Sequence, residues 1–304
     1  MQIISDLKNI PDCAIALGNF DGLHIAHTKI LNECIAYAEK ISLKSGVLLF
    51  ENHTGTITEN CNIKVLTPHK EKLEIISGLG LDFAFVKTFD KHFMELSPRE
   101  FFDFLINKLN VKAVFAGFDY TFGYKASGNA DLLKAFGNEK NIDINIIKEV
   151  DIDTIPVSST LIRNMITEGK VDAAAKFLGR YYEISGNVVY GKQNGRKLGL
   201  PTANVEYDKD KLLPSDGVYA GYLTVGDSKY KCLINIGKNP TFNADIRTIE
   251  AHIADFSGDL YGKFVTIQFT KKIREEKKFN SPEELRLQIE SDLISSGVKK
   301  PDKN

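Results

Sequence analysis

Two histidines three residues apart, His24 and His27, close the decapeptide Gly18-Asn19-Phe20-Asp21-Gly22-Leu23-His24-Ile25-Ala26-His27. Glycines at 18 and 22 permit torsions and close approaches that a Cβ would block, so backbone amides can face an anion near a helix N-terminus. Residues i and i+3 share a helix face, which sets both imidazoles beside that turn. Imidazoles so placed neutralise charge developing on a phosphoryl group during transfer. Zinc is the rival chemistry for His-x-x-His, but no glutamate follows the first histidine and the nearest thiol is Cys34. A histidine pair that only fills surface or core is the plainer alternative.

Three further stretches carry chemistry. Gly117-Phe118-Asp119-Tyr120-Thr121-Phe122-Gly123 puts Asp119 and several aromatics at the end of an apolar run, a combination suited to a flat ring and a polar group. Val157-Ser158-Ser159-Thr160-Leu161-Ile162-Arg163 places three hydroxyls at a helix start, with Arg163 near the second turn. Capping is the commoner use of such hydroxyls, yet with free amides and a guanidinium they also make a phosphate site. Between Gly191 and Asn204 lie Gly195, Arg196, Lys197, Gly199, Pro201 and Thr202. Glycine turns with cations suit phosphate, and the Thr202 hydroxyl and Asn204 amide oxygen are hard ligands for magnesium. A plain loop remains the competing reading there.

The elements that must hold these groups fall into two kinds. Apolar runs at Cys13–Leu17, Gly46–Phe50, Leu81–Val86, Val111–Ala116 and Ile142–Ile147 read as buried strands separated by segments of helical period. Thr67-Pro68 reads as a cap followed by proline at the first helical position, and Ser97-Pro98-Arg99-Glu100 as a capping box. Such alternation implies a Rossmann-like parallel sheet with helices on both faces and ligands beyond the strands' carboxyl ends. After a helical segment from about Ser159 to Leu178 the pattern changes. Val188–Tyr190, Val218–Val225, Lys229–Ile236, Ile249–Phe256 and Phe264–Phe269 read as strands, with Gly226-Asp227 as a hairpin turn. Ser281-Pro282-Glu283-Glu284 opens a closing amphipathic helix through about Ile294, and Gly297 to Asn304 reads as a charged tail. The second half is expected to be a small antiparallel barrel with a C-terminal helix, the boundary lying near Arg180–Ile184.

With 304 residues, 43% hydrophobic and 26% charged, the chain is long enough for two globular domains. A net charge of -1 gives no polyanion signal, and the Lys271–Lys278 cluster is interleaved with Glu275 and Glu276, so no nucleic-acid partner is expected. Cys13, Cys34, Cys61 and Cys232 show no Cys-x-x-Cys pairing and read as reduced thiols. No apolar stretch reaches membrane-spanning length and the first residues do not form a leader, so a soluble cytoplasmic protein, a monomer or weak homo-oligomer, is expected.

The decapeptide resembles the HxGH nucleotidyltransferases, and in its longer form the FAD synthetase branch of them. Ala26 stands where that family usually has glycine. The Asp119 and Ser158–Arg163 motifs are similar to family motifs in the same order; Phe50-Glu51-Asn52-His53-Thr54 keeps a histidine but lacks its usual proline neighbour. The stretch ending Pro201-Thr202-Ala203-Asn204 resembles the riboflavin kinase motif. Asn235-Ile236-Gly237, Asn239-Pro240-Thr241-Phe242, Glu250-Ala251-His252 with Asp255-Phe256, Asp259-Leu260-Tyr261-Gly262 and Arg274 follow in kinase order. The resemblance implies an FMN adenylyltransferase domain over 1–182 and a riboflavin kinase domain over 183–304, making FMN and then FAD with ATP and magnesium. It implies Glu250 as catalytic base, and His24 and His27 as stabilisers of the adenylyl transition state. Gly18, Phe20, Asp21, Gly22, Asp119, Ser158, Ser159, Thr160 and Arg163 would bind nucleotide or flavin. Gly191, Gly195, Arg196, Lys197 and Arg274 would bind ATP in the kinase half, with Thr202 and Asn204 on the metal. A riboflavin kinase with a weak or inactive adenylyltransferase domain and a non-enzymatic flavin or nucleotide sensor stand as alternatives.

Overall fold

The computed structural model describes residues 1–8, 10–51, 64–191, 201–238, 247–254, 256, 258–298. It divides into two compact units, Met1–Ser159 and Thr160–Asn304.

In the first unit, strands β1 (Gln2–Ile4), β2 (Cys13–Leu17), β3 (Lys44–Phe50), β4 (Phe83–Lys87), β5 (Val111–Gly117) and β6 (Asp143–Ile147) form one sheet, ordered β1-β4-β3-β2-β5-β6. Every pairing in it is parallel. Helices α1 (Ile25–Lys40), α2 (His69–Leu79), α3 (Lys91–Met94), α4 (Pro98–Leu109) and α5 (Ala130–Lys140) supply the crossovers. Side chains alternate along β2, so Ile15 and Leu17 join one buried cluster with Phe101, Phe102 and Leu105 of α4. Ala14 and Ala16 join another with Leu31 and Cys34 of α1 and Ile76 of α2. Burial on both faces explains why these strands are continuous apolar runs. Strand β1, three residues of which two are exposed, carries no such signal and escapes a sequence reading.

The capping box at Ser97 forms, with Pro98 in the first turn and Glu100 returning to the Ser97 amide at 2.8 Å. The expectation at Thr67 is corrected. Pro68 itself occupies the cap position, and Thr67 turns its amide instead to Asp21 Oδ1 at 3.1 Å. A short hairpin of β7 (Asp151–Ile152) and β8 (Ile155–Pro156) precedes the helical segment. That segment is two helices, α6 (Ser159–Thr167) and α7 (Val171–Leu178), not one. Between them Gly169 takes φ +77°, a left-handed torsion that ends a helix.

The second unit contains a closed barrel, β10-β13-β12-β11-β14-β9, with every pair antiparallel. Its strands are β9 (Tyr182–Val189), β10 (Ala203–Tyr207), β11 (Gly217–Val225), β12 (Ser228–Lys238), β13 (Arg247–Ile253) and β14 (Phe264–Arg274). Gly226-Asp227 makes the two-residue turn between β11 and β12, Val225 pairing with Ser228. Several sequence expectations shift here. Strand β9 runs Tyr182–Val189 rather than Val188–Tyr190, and β14 continues past Phe269 to Arg274. Strand β13 ends at Ile253 rather than Phe256, and Asn204 lies inside β10 rather than in a loop. Five residues with one polar and one charged member among them gave β10 too weak a pattern to read.

Helix α8 (Pro282–Ser295) closes the described chain, capped by Ser281 Oγ, which accepts from the Glu284 amide. It is not the amphipathic helix expected. Leu293 is buried, but Leu287 and Ile294 are exposed, so its apolar residues do not share one face.

Candidate active sites

Strand β2 ends buried at Leu17, and the chain then turns sharply into α1. Phe20, Gly22 and Leu23 all adopt positive φ, +50°, +84° and +43°. Left-handed torsions at two non-glycine residues cost about 1–3 kcal/mol each and persist only where surrounding contacts enforce them. Those contacts are visible. Besides the Thr67 amide on the Asp21 carboxylate, Ser159 Oγ donates to the Asp21 carbonyl at 2.8 Å and Lys72 Nζ to the Asn19 carbonyl at 2.7 Å. Phe20 is fully buried, and a Cβ at Gly18 would meet its ring at 3.1 Å. Packing therefore favours glycine at 18, where a Cβ would press on the Phe20 ring, and the torsion favours it at 22.

His24 is the N-cap of α1, and its Nδ1 accepts the His27 amide hydrogen at 3.3 Å. A ring nitrogen that accepts leaves the proton of a neutral imidazole on Nε2, as a donor. The two rings stack with centroids 3.6 Å apart and 13° between planes, so both histidines stand together at the helix start. His24 is buried and His27 half-buried. On α2, burial and the neighbouring Lys72 charge lower the pKa of His69, opposed by the Phe50 carbonyl. Burial also lowers the pKa of Lys72, opposed by the charge of Asp21.

At the end of β5, Asp119 is exposed and its carboxylate lies over Gly117, where a Cβ would come within 2.9 Å of Oδ1. Beside it, Tyr120 stacks on Phe122 with centroids 5.9 Å apart. Gly123 turns at φ +73° against the backbone of Pro98, closing this loop onto α4. The Ser159 bond thus joins the Ser158–Ser159 motif to the decapeptide turn. Thr160 is exposed and Arg163 half-buried on α6. His53 lies outside the described residues.

In the barrel the site is written in the strand register. Asn204 of β10 pairs with Glu250 of β13, and Glu250 pairs in turn with Asn235 of β12. Residues directly opposite on neighbouring strands share a face, so these three form one polar row. All three are half-buried, while their neighbours Val205, Ile249, Ala251, Ile234 and Ile236 are buried, which puts the row on the outer face of the barrel. Thr202 Oγ1 donates to Glu250 Oε2 at 3.2 Å. Gly191, at the end of β9, packs on the Asn204 amide so closely that a Cβ would lie 2.3 Å from its nitrogen. His252 is buried, with Nδ1 2.8 Å from the Pro201 carbonyl, and fixes the strand entry.

Arg274, at the end of β14, bonds through Nε to Asp292 Oδ2 of α8 at 2.9 Å and through Nη1 to the Glu275 carbonyl at 3.0 Å. Glu276 lies against Gly237; burial and the neighbouring Asp216 raise its pKa, opposed by Arg247 and Asn235. Gly195, Arg196, Lys197, Asn239–Phe242 and Asp255 lie outside the described residues. Sequence reasoning passed over Lys72, Thr67 and Glu276. Lys72 and Glu276 sit in charged stretches that read as solvated surface, and Thr67 before a proline reads only as a cap; the contact each makes is set by the tertiary fold.

Among the described residues no helix is long and apolar enough to cross a membrane. A family model described as FAD synthetase matches residues 6–161, and one described as riboflavin kinase matches residues 178–296. Among curated relatives, the bifunctional riboflavin kinase/FMN adenylyltransferase of Listeria monocytogenes is 36% identical over 91% of this chain and 89% of the relative. The enzyme of that description from Buchnera aphidicola subsp. Acyrthosiphon pisum is 35% identical over 97% and 96%, and that of Escherichia coli K12 is 32% identical over 99% and 100%. A crystal structure described as a macrolide-efflux protein from Streptococcus pneumoniae superposes with a TM-score of 0.89, at 30% identity, over 98% of this chain and 99% of that one. With both family models matched in order and near full-length identity of this size, the chain belongs to the bifunctional riboflavin kinase/FMN adenylyltransferase family.

Proposed function

We propose that this chain phosphorylates riboflavin to FMN on the outer face of its barrel and adenylylates FMN to FAD at the turn following β2, using ATP in both reactions. The observation that carries the reading is the row Asn204–Glu250–Asn235 with the Thr202 hydroxyl on the Glu250 carboxylate. A carboxylate oriented by a hydroxyl and flanked by amides suits a general base. Glu250 takes the proton of the ribityl 5′-hydroxyl as that oxygen bonds to the γ-phosphorus and ADP leaves. Gly191, Gly195, Arg196, Lys197 and Arg274 are assigned to ATP in this step.

The donor set Thr202 Oγ1, Asn204 Oδ1 and nearby carboxylate consists of hard oxygens, which fits magnesium shared with phosphate oxygens. Bound there, magnesium would neutralise charge on the ATP phosphates.

At the first site a phosphate oxygen of FMN bonds to the α-phosphorus of ATP and pyrophosphate departs. His24 Nε2–H and the His27 ring stabilise charge on the transferring group, and no covalent intermediate is needed. Gly18, Phe20, Asp21 and Gly22 shape the turn for the nucleotide, Asp119 contacts substrate, and Ser158, Ser159, Thr160 and Arg163 are assigned to ATP. We assign residues 1–182 to adenylyl transfer and 183–304 to phosphorylation. The buried, unpaired thiols of Cys13, Cys34 and Cys232 support a reducing, cytoplasmic setting.

The test is a product profile. Purified chain is incubated with riboflavin, ATP and magnesium, and separately with FMN and ATP, and the flavins are separated by chromatography. FAD in both is expected. Ala26, half-buried in the first turn of α1 between the two histidines, favours one second reading, a kinase with a weak adenylyl site. FMN accumulating without FAD would select it, and unchanged flavin in both would leave a sensor.

A further inference from the structure

Helix α2 brings to the turn after β2 a group that the motifs do not contain. Lys72 shares a face with His69, one at i and one at i+3; His69 lies near the end of β3, where the Phe50 carbonyl acts on it, and Lys72 reaches the carbonyl of Asn19 after β2. The Lys72 ammonium lies 2.7 Å from that oxygen, and among the described residues no carboxylate comes within 4.0 Å of it. That half-buried ammonium is held by one neutral carbonyl, with the Asp21 charge acting on it from beyond ion-pair distance, and it keeps donors to spare. Asn19 sits between Gly18 and the left-handed Phe20, within the turn whose amides would receive phosphate. The exposed end of its carbonyl dipole would repel an incoming anion, and Lys72 cancels that dipole while leaving a positive group with donors to spare. An arriving polyphosphate would add its charge to that of Asp21 around the ammonium.

We propose that Lys72 is a further phosphate-contacting residue of the adenylyl-transfer site, donating to the triphosphate of ATP while its bond to Asn19 holds the turn. The proposal rests on the adenylyl-transfer reading above. It distinguishes Lys72 from a structural lysine by which substrate the loss falls on. Methionine fills much of the same space but cannot bond Asn19, so Lys72→Met should lose little stability, about that of one hydrogen bond, while losing activity toward ATP.

The test uses the full chain, with Lys72→Met and Lys72→Arg beside wild type. Steady-state FAD formation from FMN and ATP, FAD pyrophosphorolysis with inorganic pyrophosphate, riboflavin phosphorylation and thermal unfolding are measured on each. Lys72→Met should lower adenylyl kcat/KM for ATP about 100-fold, the loss expected of one charge-stabilising donor. KM for FMN should move less than threefold, and KM for pyrophosphate should rise in the reverse direction. Lys72→Arg should keep at least about a tenth of the activity, since a guanidinium also serves phosphate. Wild-type FAD formation with Lys72→Met within threefold of it overturns the role of Lys72 alone. So does a loss that falls equally on FMN and ATP and comes with a lowered unfolding temperature. A wild-type chain that forms no FAD removes the adenylyl-transfer reading itself, and this inference with it.

Discussion

The turn after β2 and the row on the barrel face are assigned the same task in the function proposed above, holding polar groups against a phosphate, and they are built of different materials. The turn is irregular backbone, with Phe20 and Leu23 in torsions that cost energy, kept in place by bonds from Thr67, Lys72 and Ser159, residues 46, 53 and 138 positions away. The row is regular backbone, with Asn204, Glu250 and Asn235 fixed by the hydrogen-bond ladder of β10, β13 and β12. A site made of strained turn depends on distant clamps; a site made of strand register depends on the ladder beneath it. Substitutions far from the first site should therefore reach its chemistry, whereas the second should respond chiefly at the row itself.

The largest effect that would separate the two is Glu250→Gln. Glutamine keeps the size and the bond from Thr202 but cannot take a proton, so FMN formation should fall about 1000-fold, within the range for a general base. FAD formation from added FMN should stay at the wild-type rate. His27→Ala reverses the pattern, with FAD formation falling about 100-fold and riboflavin phosphorylation intact, since removing one charge-stabilising group costs about that much. Both are read from the same chromatogram of flavins. If either variant slowed both reactions equally while remaining folded, the division of labour between turn and row would be wrong.

What the sequence disclosed follows the same division. The parallel sheet was legible because its strands are buried on both faces and read as unbroken apolar runs, and the barrel because strands such as Lys229–Ile236 were bounded by turn residues. Strand β10 was not, because Asn204 and Glu206 interrupt so short a segment. The catalytic candidates were found through local spacing: His24 with His27, Thr202 with Asn204. The clamps were not, because a lysine four residues into a helix has no local mark of where it points. Thr67 shows the limit most clearly. Its position before proline advertised a cap, yet its amide serves Asp21, 46 residues earlier in the chain. Arg274 shows it in the other unit, where a residue assigned to ATP is bonded to α8.

That bond gives the next comparison. Asp292 is buried, accepts from Arg274 Nε and from Gln288 Nε2, both at 2.9 Å, and fixes the end of β14 to α8. Asp292→Ala leaves the guanidinium unpaired. Because Arg274 keeps some contact with solvent, the cost should fall near or below the lower end for a broken buried pair, about 2–3 kcal/mol. A urea unfolding midpoint monitored in the barrel measures it. The KM for ATP in riboflavin phosphorylation should rise as Arg274 loses its orientation, while that for FMN adenylylation holds. A stability loss with neither KM altered would leave Arg274 a structural residue and remove it from the ATP assignment.

The smallest effect sharpens the turn rather than the row. Ala26 lies in the first turn of α1, between His24 and His27 in the chain. Replacing it with glycine should cost up to about 1 kcal/mol of stability, because glycine gives up more backbone freedom in a helix. If the methyl stands in the approach of the nucleotide, Ala26→Gly should also lower the KM for ATP in FAD formation severalfold, and leave riboflavin phosphorylation as it was. The two readouts move in opposite senses, one toward a less stable chain and one toward tighter nucleotide binding, so a general loosening of the fold cannot imitate the result. A fall in unfolding temperature with an unchanged KM would mean that the methyl faces away from ATP. The turn would then accept alanine without penalty, and its dependence on Lys72, Thr67 and Ser159 would be the feature that limits it.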